Sequence, residues 1–155
     1  MDSIDIKILD LMQNDSNLTT SDIAEKIGLS TSPCWRRIQH LEKAGFIRQR
    51  VALLDPEKLN VGVDVFVSVK TNQHNQEWLE DFAAKVSAFS EVVEFYRMSG
   101  EIDYLMRVVV PDIKAYDDFY KRLVRSADFA DVSSSFAMER IKYTTALPTN
   151  YVNRS

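Results

Sequence analysis

Cysteine is almost absent from this 155-residue chain: Cys34 stands alone. One thiol excludes an intrachain disulfide framework and any zinc site built mainly from cysteine. Histidine is nearly as scarce, and His40 and His74 are too far apart to show a metal-ligand spacing, so no metal and no cofactor is expected. There is no Gly-rich phosphate loop and no nucleophile with an evident base. No apolar run approaches the roughly 18 residues needed to span a bilayer. The first ten residues, MDSIDIKILD, are acidic where a secretory leader carries positive charge, so a cytoplasmic protein without membrane partners is expected. Low-complexity tracts and internal repeats are also lacking.

What is present suits a folded chain: 45% of residues are hydrophobic and 27% charged. The formal net charge of −4 argues weakly against a nucleic-acid partner, but an average can hide a patch. Residues 31–50 hold Arg36, Arg37, Lys43, Arg48 and Arg50 against Glu42, five minus one, a local net of +4.

Two periods divide the chain. In the first part Ile4, Ile8 and Leu11 mark one helical stripe. Thr19, with Asp22 three residues on, predicts a capped helix bearing Ile23, Ala24 and Ile27 and ending at Gly28. Ser30 offers a new N-cap, Pro33 falls in the first turn, and a third helix runs to about Ala44 before Gly45. Three short helices over 1–48, the last two joined by a tight turn, predict a helix-turn-helix DNA-binding domain. Residues 49–60 read as a hinge strand and linker, closed by the Asp55-Pro56 turn, with the extended character starting at Phe46.

From Val61 to Val69 valines alternate, which predicts a strand. Trp78, Phe82 and Val86 predict a helix. Strands are expected over Val92–Met98, Tyr104–Val110 and Val132–Ile141, with a helix carrying Ile113, Tyr116, Phe119, Tyr120 and Leu123 before the last. The order β-α-β-β-α-β over 61–155 fits a ferredoxin-like domain, so the fold class is α+β. Helices on one side of such a sheet leave the other face in need of a partner, and a homodimer is expected.

On a wheel of 100° per residue, Cys34, Ile38 and Leu41 cluster on the buried side of the third helix. Ser32, Arg36, Gln39, His40 and Lys43 fall opposite, with Trp35 and Arg37 on the flanks. Such side chains hydrogen-bond base edges or phosphates in a major groove wide enough for one helix. Cys34 itself reads as a small core residue. Farther on, Gly100-Glu101-Ile102-Asp103-Tyr104 makes a tight turn whose backbone N–H groups suit a carboxylate and whose acids suit an ammonium.

The segment LTTSDIAEKIGLSTSPCWRRIQHLEKAGFIRQRVALLDPEKL resembles the DNA-binding domain of Lrp/AsnC (feast/famine) transcription regulators. The second half resembles that family's effector-binding and oligomerisation domain, including its Gly-x-x-Asp-Tyr turn, here Gly100, Asp103 and Tyr104. TSPCWRRIQHLE, VALLDPEKL and SGEIDYLMRV are closest to its cysteine-response subgroup. The resemblance implies double-stranded DNA as one partner and a small amino acid as the effector, with cysteine the first candidate and leucine or methionine next. It implies a homodimer assembling to a tetramer or octamer. It also implies an effector cleft between subunits, lined by Ser99, Gly100, Glu101, Asp103 and Tyr104, with Ser134 reaching in from a neighbour. Two rivals are a dimeric enzyme on the ferredoxin-like fold and an amino-acid sensor acting through protein partners.

Overall fold

The computed structural model describes residues 1–152. The chain divides into two compact units, one formed by Met1–Leu53 with the segment beginning at Ile141, the other by Leu54–Arg140.

The first unit holds α1 (Ser3–Asn14), α2 (Thr20–Ile27) and α3 (Thr31–Lys43). Asp2 caps α1 and exchanges hydrogen bonds with Asp5, a capping box that the apolar stripe alone did not announce. Thr19 and Asp22 form the expected box on α2, and Gly28 ends that helix at φ 71°, a conformation costly for any residue with a side chain. Ser30 is the N-cap of α3 but makes no side-chain cap bond. Ile8, Met12, Ile23, Cys34, Ile38 and Leu41 build the core, with Ala24 beside them. Within α1, Ile8 and Met12 are the buried residues and Leu11 only borders them, so the stripe is rotated from the expected one.

The second unit contains β1 (Val63–Lys70), α4 (Gln76–Ser87), β2 (Val92–Arg97), β3 (Tyr104–Val110), α5 (Ile113–Ser126) and β4 (Asp131–Phe136). The strands run antiparallel in the order β2-β3-β1-β4, as the β-α-β-β-α-β pattern required. Register puts Val65, Val67 and Val69 opposite Val108, Met106 and Tyr104, all on the helix-covered side. Phe82 and Phe119 bring α4 and α5 onto that face, and both are fully buried. Phe82 touches four rings, those of Trp78, Phe95, Tyr104 and Phe129. The opposite face carries Asp64, Phe66 and Ser68 beside Arg107 and Leu105. There Phe66 is 41% and Tyr96 51% exposed.

Three sequence expectations change. Phe46–Leu54 is irregular rather than a strand. The strand predicted to reach Ile141 stops at Phe136, which pairs with Val65 near the start of β1, leaving Met138 96% and Ile141 90% exposed. Residues from Ile141, grouped by sequence with the second domain, pack with the first unit, where Leu147 and Thr149 bond to α1. The end of that expected domain, 153–155, lies outside the described residues. Ile113 is the first residue of α5 and is exposed there.

Replacing Phe82 by alanine should destabilise the second unit by about 3–5 kcal/mol, since it empties the centre of an aromatic cluster. Urea denaturation followed by fluorescence and circular dichroism measures this loss.

Candidate DNA-binding face and effector cavity

The third helix presents its two sides as the wheel requires. Cys34, Ile38 and Leu41 are at most 3% exposed, whereas Ser32, Trp35, Arg36, Gln39, His40 and Lys43 are all exposed. Burial pushes the Cys34 thiol up, against the opposing pull of Arg37, so it stays a protonated core residue at neutral pH. Among the described residues, Arg36, Lys43 and the following Arg48 form no ion pair. Three unneutralised cations on and just after one helix are a local source of positive potential on an acidic chain.

Arg37 behaves differently. One of its guanidinium nitrogens donates to Asp2 and Asp5 of the α1 capping box, at 2.7 Å each. It is therefore a clamp between α3 and the start of α1 rather than a free cation beside the recognition face. Hydrogen bonds from the Asp5 backbone N–H first, and then from Arg37, hold the Asp2 carboxyl below its ordinary range. Glu42 accepts from Arg50 at 2.6 Å and from Gln39 at 3.0 Å, so the one acid of α3 is spent on the segment that follows it. Neither arrangement has a helical-wheel signature, because the Arg37 and Arg50 partners lie on other elements.

In the second unit Gly100 sits at φ 124° in the turn between β2 and β3. Asp103 is built into the frame: its N–H donates to the Val69 carbonyl, and its Oδ2 accepts the Thr71 N–H at 2.8 Å. That bond ties the turn to the loop before α4. Between them lies a cavity of about 450 Å³, within the size range of small-molecule sites. Asp103, Tyr104 and Arg97 line it from one side, Thr71, His74 and Gln76 from the other. Tyr104 is 5% exposed, and burial pushes its phenol up.

Of the residues expected at an effector site, Asp103 and Tyr104 reach this cavity, while Ser99, Gly100 and Glu101 stand at the exposed tip of the turn and do not line it. Glu101 makes only a loose pair with Lys70 at 3.5 Å. Ser134 is turned toward the helix layer, beside Val67 in register, and hydrogen-bonds the Tyr116 hydroxyl. Arg97 and the Thr71–Gln76 loop were missed. The only signal was a polar run, Asn72 to Asn75, that looked like an ordinary connection. No group of His, Cys, Asp and Glu able to hold a metal occurs among the described residues.

Residues 1–48 match the winged helix-turn-helix DNA-binding family model, and residues 64–147 match the Lrp/AsnC ligand binding domain. The chain is 52% identical to the DNA-binding transcriptional activator DecR of Escherichia coli (strain K12) over 149 residues, covering 96% of this chain and 98% of DecR. It superposes with a TM-score of 0.96 on an AsnC family transcriptional regulator from Agrobacterium tumefaciens, 61% identical, covering 99% and 100% of the two chains. A Neisseria meningitidis transcriptional regulator solved as an L-Met complex matches with a TM-score of 0.92 and 40% identity, covering 97% of each chain.

Two substitutions separate reading from support on α3. Arg36→Ala should weaken binding to a specific duplex by roughly 1–3 kcal/mol and leave the melting temperature unchanged. Arg37→Ala should lower the melting temperature, because it leaves two carboxylates without their shared cation. The pH dependence follows in sign. A carboxyl depressed by folding stabilises above its unfolded value of 3.8 and loses that contribution as pH falls through the lower folded value. Melting the wild type from pH 5 to pH 3 should therefore show a fall that is smaller in Arg37→Ala.

Proposed function

Because this chain belongs to the Lrp/AsnC family of transcription regulators, we propose that it reads double-stranded DNA through the outward face of α3 and shifts its assembly when a free amino acid binds the second unit. It is a DNA-binding regulator, not an enzyme: its relatives are named as transcription regulators, and a helix-turn-helix has no obvious place in the rival reading of a dimeric enzyme on the ferredoxin-like fold. The observation that carries the DNA proposal is the exposed cation-bearing face of α3, set against a fully buried opposite side. Arg36 and Lys43 suit guanine edges or phosphates, Gln39 suits adenine, and His40 serves either. Ser32 and Trp35 flank them. Arg37 acts by holding α3 to α1.

For the effector, Asp103 and Arg97 supply one anion and one cation beside the cavity, complementary to an ammonium and a carboxylate. Oδ2 of Asp103 is engaged by Thr71 and Oδ1 is not, which leaves an acceptor for a ligand ammonium. Ser99, Gly100 and Glu101, exposed at the turn's tip, are the part a neighbouring copy can reach, and Ser134 contributes from that neighbour once freed from Tyr116. Cysteine is the first candidate, by resemblance to the cysteine-response subgroup, followed by leucine and methionine.

The homodimer forms through the open sheet face, where Phe66 and Tyr96 lie exposed around the Asp64–Arg107–Glu94 ion pairs, and dimers build a tetramer or octamer. A ligand between subunits favours whichever assembly it contacts better, and moving subunits changes the spacing of paired α3 helices. With no helix among the described residues long and apolar enough to cross a membrane, the proposed location is the cytoplasm, where the DNA is.

Calorimetric titration against the free amino acids tests the effector reading. Asp103→Ala should reduce affinity for the bound amino acid by roughly 1.5–3 kcal/mol, about tenfold to a hundredfold, while DNA affinity without ligand changes little. Silence of every amino acid at millimolar concentration removes the effector but not the DNA reading. Binding of leucine or methionine with silence of cysteine removes only the subgroup.

Assembly is checked separately. Sedimentation at micromolar concentration should show a dimer or larger, and a stable monomer would contradict the assembly proposal.

A further inference from the structure

The last turn of α1 grips a piece of the chain's own C-terminal segment. The Gln13 amide donates from Nε2 to the Leu147 carbonyl at 3.0 Å, and its Oε1 accepts the Leu147 N–H at 2.8 Å. Asp10 takes part from both oxygens: Oδ1 accepts Gln13 Nε2 at 3.0 Å, and Oδ2 accepts the Thr149 hydroxyl at 3.1 Å. Both main-chain groups of Leu147 are thus satisfied by one side chain, as they would be by a strand edge. What is recognised is extended backbone, since the Leu147 side chain remains 73% exposed. Pro148 favours this geometry, because the residue before a proline is pushed out of the helical region.

The same segment is anchored at its other end. Arg140 donates to Asp64 of β1 at 2.7 Å, and the Ala137 N–H donates to the Asp64 carbonyl at 3.0 Å. Asp64 also receives Arg107 and is only 12% exposed, so this anchor sits in the ion-pair network of the open sheet face. Six residues separate Arg140 from Leu147. The chain therefore connects the two units twice, once at 53–54 and again at 140–141.

We propose that residues 141–149 are a strap, docked on Asp10 and Gln13, through which rearrangement of the second unit's sheet is delivered to the DNA-reading helix. The strap ends on α1, and α1 is bonded at its start to α3 through Asp2, Asp5 and Arg37. A displacement of β1 at Asp64 pulls on Arg140, then on Leu147, then on α1. The strap's two ends are held by hydrogen bonds and an ion pair, contacts of the kind that carry coupling between sites. Gln13 is on this reading a positioning residue: it touches neither DNA nor effector.

The test uses the full chain and rests on the reading that copies present paired α3 helices. Affinity is measured on duplexes whose half-site spacing is stepped through one helical turn. Two variants are compared with wild type: Gln13→Ala, which removes docking, and an insertion of about four Gly/Ser residues between Tyr143 and Thr144, which preserves docking but adds slack. Wild type should discriminate among spacings by about tenfold or more, and both variants should flatten to within about threefold. Amide exchange at Leu147 should be slow in wild type and in the slack variant, and at least about tenfold faster in Gln13→Ala. A sharp wild-type profile reproduced unchanged by the slack variant overturns the strap, as does a Leu147 amide unprotected in wild type. A profile already flat in wild type overturns the paired reading and the strap together.

Discussion

The first unit depends on a guanidinium shared by two carboxylates. Arg37 lies at the edge of the buried side of α3, and Asp2 and Asp5 are already committed to capping α1. Bringing them together fixes the azimuth of α3 about its own axis, which apolar contacts alone leave looser because burial is non-directional. Without that restraint the Ser32–Lys43 face would be no less polar, but it would not be held at one angle to its support. A groove-reading helix needs that angle held, since bidentate contacts to base edges tolerate little rotation.

A comparable constraint governs the second unit. β1 is paired on both sides, so every residue along it has a fixed face. Odd positions from Val65 to Val69 are buried under Phe82 and Phe119, and the even positions are left with Asp64, Phe66 and Ser68 outside. That outer face combines aromatic area with a carboxylate held between Arg107 and Arg140. Desolvation opposes ionisation of Asp64, but hydrogen bonds from the two arginines win and its carboxyl lies below the ordinary range. A largely shielded anion so held is a fixed point on the face proposed to bind a second copy.

The two proposed sites are separated along the chain. The proposed DNA contacts come from exposed side chains on a single helix, whereas the cavity needs a turn and a loop brought together by the Thr71–Asp103 bond. Position on a helix can be read from period. Proximity of two loops cannot.

This difference explains what each level of description supplied. Period and capping residues alone determined the three helices of the first unit, the β-α-β-β-α-β order, and the polar face of α3, because side-chain direction in a helix or strand follows from spacing. Caps at Thr19 and a left-handed Gly28 were equally local and equally legible. Tertiary structure decided whatever required a partner distant in sequence. It paired Arg37, on the flank of α3, with Asp2 and Asp5 of α1, and it turned Ser134 inward to Tyr116. It also ended the last strand at Phe136, and carried Leu147 back to Gln13 across 134 residues. Hydrogen bonds and ion pairs of this kind depend on the meeting of two surfaces, and a pattern read along one segment contains only one of them.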